Sequence, residues 1–173
     1  MSGPVHEIPE TGNPSVLSLV KQVQYKAYLR LEAALQPLGI TAVQFRILTT
    51  ISSQAGLCSA DLARIYDVKP QSMIRQIGLL EDKGLVVRKP DRANKRLLLL
   101  ELTGKGENCV AQCHTTALVL EEDFLAPLDG PAREQLRASL QILFDAMTKA
   151  DNGAGSAASE FSEEHRRVGV QRL

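Results

Sequence analysis

The segment SADLARIYDVKPQSMIRQIGLLEDKGLVVRKPDRANKRLLLLEL, residues 59–102, decides the fold. Ser59 stands where a cap would open a short helix, with Asp61 in its favourable first turn and Leu62, Ala63, Ile65 and Tyr66 as its packing face. A few residues later Pro70 suits the first position of another helix, where a missing N–H costs nothing. Met73, Ile77 and Leu80 then fall on one stripe toward the core, which turns Gln71, Ser72, Ile74 and Arg75 elsewhere. Gly84 after Lys83 is a stop signal. Residues 85–88 and 97–102 are short apolar runs on either side of the charged turn PDRANK, so a two-stranded hairpin is expected. LLLLEL is helical by propensity alone, but its brevity, the turn before it and Thr103 after it favour a strand.

Working toward the N-terminus, Thr41 and Gln44 have capping-box spacing, and Phe45, Leu48 and Ile51 continue with a period near 3.6, predicting a helix over 42–53. Before it, Val16, Leu19, Val20, Val23, Ala27, Leu31, Ala34 and Leu35 recur at helical spacing until Pro37, as in a long amphipathic helix. Residues 1–14 hold three prolines and little periodicity and read as a flexible arm. Toward the C-terminus Thr103 caps a helix over 104–125, and Pro131 opens another that is expected to end near Thr148. The small polar run DNGAGSAAS reads as a linker, with a terminal helical turn or two in EFSEEHRRV.

The expectation is one mainly α unit: a winged helix-turn-helix with a two-stranded β wing and long N- and C-terminal dimerisation helices. Its parts are an arm at 1–14, helical dimerisation regions at 15–37 and 104–148, a DNA-binding lobe at 38–103, and a linker and tail at 149–173. Composition agrees. Of the 173 residues 44% are hydrophobic but only 4% aromatic, so the core is built from the aliphatic residues of helix packing. No apolar run is long enough to cross a bilayer, and three cysteines, Cys58, Cys109 and Cys113, do not make a disulfide framework, so a cytoplasmic setting is expected.

Net charge is zero, yet residues 59–105 hold ten basic against six acidic side chains. Segregation of this kind lets a neutral chain present one face to phosphate. A rigid helix with a polar face fits the DNA major groove, about 12 Å wide, while a basic hairpin reaches the flanking backbone or minor groove. On that logic Gln71, Ser72, Ile74 and Arg75 read base edges, with Ile74 facing a thymine methyl and Arg75 pairing with guanine or phosphate. Lys69 meets phosphate at the helix start, and Arg92, Asn94, Lys95 and Arg96 form the tip of the wing.

These residues also carry a family resemblance. LGITAVQFRIL, SADLARIYDVKPQSMIRQIGLLEDKGLV and RKPDRANKRLLLLELTGKG, within residues 38–106, resemble the multiple antibiotic resistance regulator (MarR) family, and the likeness extends over nearly all of 15–148. The resemblance implies a homodimeric regulator of transcription, acting as a repressor on a pseudo-palindromic operator. It implies a small aromatic or phenolic effector, with Tyr25, Tyr28, Arg30, Phe45 and Arg46 as candidate lining residues. In the family an Asp two positions before the wing Arg orients it; here Asn94 precedes Arg96, so that ion pair is weakened. Arg75 stands where the family commonly has an Arg, whereas Ile74 replaces what is more often a small hydroxyl.

Other readings rest on fewer residues. Cys109, Cys113 and His114 invite a redox or metal sensor, but two thiols and one imidazole on neighbouring faces do not make a tetrahedral site. The peroxide-sensing branch of the resembled family uses a cysteine early in the first long helix, where this chain has none. A winged-helix protein-interaction module is the alternative that needs neither Arg75 nor Arg96. No phosphate loop, cofactor motif or nucleophile with an orienting base is visible, so no enzyme activity and no cofactor are expected.

Overall fold

The computed structural model describes residues 13–168, with side chains to Lys149. The arm expected over 1–14 lies, apart from its last two residues, outside the described residues. In chain order the elements are α1 (Val16–Leu35), a 3₁₀ turn (Gln36–Leu38), α2 (Ala42–Ser53), α3 (Ser59–Ile65), α4 (Pro70–Asp82), β1 (Val86–Pro90), β2 (Leu98–Leu102), α5 (Gly104–Leu125) and α6 (Gly130–Val168). They divide into two compact units, one ending at Phe124 and the other beginning at Leu125.

The first unit is a winged helix-turn-helix, and local chemistry sets its joints. The α2 capping box forms as its spacing predicts: Gln44 N donates to Thr41 Oγ1 at 3.1 Å, and Thr41 N donates back to Gln44 Oε1. At α3 the cap is Cys58 rather than Ser59. The Asp61 carboxylate accepts the Cys58 N–H at 2.8 Å, so the third helical residue reaches back and Ser59 enters the first turn. That hydrogen bond holds the Asp61 carboxyl below the usual carboxylate range. Between α3 and α4 the chain turns through Asp67 at φ 48°, a left-handed conformation that a short polar side chain tolerates.

Gly84, at φ 69°, ends α4, and Leu85 N donates to Leu80 O. This consumes Leu85 in the helix terminus, so β1 begins one residue later than its apolar pattern suggests and runs on to Pro90. The strands pair antiparallel from Val86 with Leu102 to Pro90 with Leu98. A backbone bond from Leu100 N to Leu57 O, beside a bridge of Cys58 with Leu99, fixes this wing to the α2–α3 connection.

Behind the surface lies one aliphatic core in which Leu35, Ile47, Leu48, Leu62, Ile77 and Leu80 are at most 1% exposed. Each such side chain contributes about 1.5–3 kcal/mol by leaving water. Helix α5 closes on it through Val110 and Cys113, and its approach is tight: a Cβ on Gly106 would stand 2.1 Å from Leu85 O. Only Leu35 of α1 is fully buried, while Leu17 is 79% exposed.

In the second unit Asp129 Oδ1 accepts the Ala132 N–H at the start of α6. Leu140, Ile142, Leu143, Phe144 and Met147 along this helix are exposed. The linker expected from residue 149 is instead a continuation of α6, whose backbone stays helical to Val168. Ala150, Ala154, Ala157 and Ala158 are strong helix formers that carry the segment through Gly153 and Gly155.

Candidate nucleic-acid interface

Helix α4 offers its outer face as the pattern of apolar residues requires. Met73, Ile77 and Leu80 are buried, whereas Gln71, Ser72, Ile74 and Arg75 are exposed, Ile74 by 49%. Lys69 occupies the N-cap of α4, and its side chain is exposed. A lysine at the positive end of a helix suits a phosphate oxygen.

The wing tip, residues 91–97, is organised by two short side chains. Asp91 Oδ2 accepts the Asn94 N–H at 3.1 Å, and Asn94 Oδ1 accepts the Arg96 N–H at 3.2 Å. Asn94 thus shapes the turn through the backbone of Arg96 rather than through its guanidinium. Arg92, Lys95 and Arg96 are all exposed. Wing and helix are coupled at their base, where the Arg88 guanidinium of β1 meets the Glu81 carboxylate of α4 at 3.1 Å.

Charge pairing separates these cations into two groups. Arg64, Arg88 and Lys89 are matched by Asp61, Glu81 and Glu101. Among the described residues Lys69, Arg75, Arg92, Lys95 and Arg96 have no carboxylate partner. The second group is carried by the start and outer face of α4 and by the wing tip.

A MarR family model matches residues 38–97, from the end of the 3₁₀ turn to the wing tip. The HTH-type transcriptional repressor Rv2887 of Mycobacterium tuberculosis is 35% identical over 111 residues, covering 64% of this chain and 80% of that protein. The chain belongs to the MarR family. Its structure agrees: wild-type MarR of Escherichia coli superposes with a TM-score of 0.69 at 28% identity, over 76% of this chain and 98% of that one. Rv2887 solved with DNA gives 0.67 at 30% identity, over 76% and 98%. The same protein with salicylic acid gives 0.64 at 30%, over 76% and 97%. This MarR-family chain is therefore a winged-helix transcriptional regulator, in a family whose members bind DNA and in some cases small ligands.

The candidate effector residues do not gather in one place. On α1 Tyr25 and Arg30 are exposed, and the Tyr28 hydroxyl donates to Glu32 Oε1 at 2.8 Å, which pushes the phenol up from its ordinary value. Phe45 packs edge-on against His114, with ring centres 5.1 Å apart. Arg46 lies over the Tyr66 ring at 4.3 Å and lines a cavity of about 260 Å³ whose walls include Val43, Val68, Ser72, Met73 and Gln76. This cavity draws on α2, the α3–α4 turn and α4, so helical periodicity within any one element could not reveal it.

Cys113 stands in a poor setting for thiolate chemistry. Cys113 is fully buried, and desolvation together with neighbouring Cys109 pushes its thiol up to about 12. The reactive thiolate is thereby suppressed. Among the described residues no group of three or more His, Cys, Asp or Glu side chains could hold a metal ion, and no helix is long and apolar enough to cross a membrane.

Proposed function

We propose that the chain is a homodimeric repressor whose two copies of α4 enter successive major grooves of a pseudo-palindromic operator, half-sites about 10 base pairs apart, while the wings follow the flanking backbone. The observation that carries this reading is the group of five exposed cations without a carboxylate partner, Lys69, Arg75, Arg92, Lys95 and Arg96, that lie at the start and outer face of α4 and at the wing tip. Gln71, Ser72, Ile74 and Arg75 contact base edges; Lys69 and the wing residues Arg92, Asn94, Lys95 and Arg96 hold the register. Dimerisation falls to α1, the end of α5 and α6, where Leu17, Leu118, Val119, Leu140 and Phe144 stay exposed in the single chain.

The second part of the proposal is release by a small aromatic acid. The cavity beside α4 has room for one aromatic ring, an apolar wall in Val43, Ile47, Val68 and Met73, and the Arg46 guanidinium to meet a carboxylate. That Rv2887 has been solved with salicylic acid supports the class of ligand. Because Ser72 and Met73 belong to α4, occupancy bears directly on the reading helix, and a differential affinity of about 1–3 kcal/mol between its positions changes DNA affinity about 5- to 150-fold.

Fluorescence anisotropy with a labelled duplex from the gene's own upstream region tests both parts. Arg75→Ala is expected to cost about 1–3 kcal/mol and to narrow the gap between operator and scrambled duplex. Salicylate should weaken operator binding by the native chain and not by Arg46→Ala. Sequence-blind binding indifferent to Arg75→Ala would instead point to a protein-interaction module.

A further inference from the structure

A second cavity in the first unit lies where the α1–α2 turn, the end of α4 and the first turns of α5 meet. It is an open cleft of about 620 Å³, apolar along Leu38, Ile40 and Leu85 and polar along Lys83, Lys105 and Asn108. None of these residues belongs to the reading surface or to the cavity beside α4.

Its two lysines are partnered only by neutral oxygens. Lys83 Nζ donates to Gly39 O and to the buried Gln44 Oε1, both at 2.7 Å, and Lys105 Nζ donates to Lys83 O at 2.7 Å. Among the described residues neither has a carboxylate partner. An ammonium has three donors, so Lys83 keeps one N–H and Lys105 two for a ligand. Two like charges facing one cleft, matched only by amide dipoles, favour an anion there and discriminate by its charge.

We propose that this cleft binds a small organic dianion, an apolar skeleton bearing two carboxylates, with Lys83 and Lys105 each holding one anionic group and Leu38 and Leu85 covering the skeleton. A monoanion leaves one ammonium unmatched, and inorganic phosphate leaves the apolar wall facing water. Binding reaches the DNA-reading element through Lys83, the C-cap of α4, whose side chain ties that helix end to the α1–α2 turn and to the α2 capping box. A carboxylate held by the spare Lys83 N–H draws the ammonium away from Gly39 O and Gln44 Oε1 and so loosens the end of α4. This coupling, though not the site itself, rests on the DNA reading proposed above.

Isothermal titration of the full Arg46→Ala chain, whose first cavity has lost its carboxylate partner, with phthalate, benzoate and inorganic phosphate tests the site. Phthalate is expected to bind saturably, with benzoate and phosphate at least about tenfold weaker. Lys105→Ala, at an exposed position, should lower phthalate affinity about tenfold or more, as loss of one charge-assisted hydrogen bond implies. Absence of phthalate binding, equal binding of benzoate, or indifference to Lys105→Ala would overturn the site. In a duplex titration phthalate should weaken operator binding by the native chain and not by Lys105→Ala. Phthalate bound with duplex affinity unaltered would overturn the coupling. A chain that binds phthalate in this Lys105-dependent way but never binds duplex would support the site and remove the DNA reading.

Discussion

In the lobe built by α2, α3, α4 and the wing, Leu62, Met73, Ile77, Leu80 and Leu100 are no more than 3% exposed, and α4 and the wing tip carry bare cations on the outside. Along α1 and α6 the balance is reversed: Leu17 is 79% and Phe144 66% exposed. Each region leaves a surface uncompleted, and the dominant chemistry of that surface differs. Unpaired guanidinium and ammonium groups are completed by a polyanion, whereas uncovered leucine and phenylalanine are completed by another apolar face. One chain thus shows incomplete surfaces of two opposite chemistries, and a member of its family has been solved with DNA.

Charging the apolar side of this comparison has the largest expected effect. Leu140→Glu combined with Phe144→Glu should convert dimer to monomer by light scattering. Operator affinity should then fall by about 10²- to 10⁴-fold, because the two half-sites are no longer linked. A double variant that remains dimeric would mean that α6 is not part of the interface.

The packed side can be broken from within. Gly106→Ala places a Cβ against the Leu85 carbonyl and should cost about 1–3 kcal/mol in denaturant unfolding. Gly104→Ala, two residues earlier with open space at its Cβ, should cost nothing. Equal effects at the two glycines would show that α5 does not approach Leu85 this closely.

The smallest effect sharpens the account of α3, the helix that supports α4. Asp61→Asn should cost about 1 kcal/mol at neutral pH by weakening the bond to Cys58 N–H. The Asp61 carboxyl is held below its unfolded value, so its contribution is full above about pH 4 and is lost as pH falls through the folded value. The stability gap between native and variant chains should therefore close on acidification. A constant gap would assign the loss to packing.

Most of the fold was legible because its signals are local. The stripe of Met73, Ile77 and Leu80, the Thr41–Gln44 box and Gly84 each act within a few residues, and each forms as its spacing implies. The Cys58 cap escaped because Asp61, reaching backward, does the work that Ser59 was expected to do. Helix α6 outran its expected end because alanine and glycine alternate in the same stretch and pull in opposite directions. Exposure along α4 follows from period alone, but the two cavities draw residues from as far apart as Leu38 and Gln112, which no spacing rule connects.

The central claim is that the bare cations of α4 and the wing neutralise DNA phosphate. Its most direct test is the slope of log binding constant against log salt for the operator duplex, comparing the native chain with Arg96→Ala. The account predicts a steep slope that falls by about 0.9 for each phosphate no longer neutralised, hence by about 1.8 for the two wings of a dimer. Equal slopes for the two proteins would contradict it.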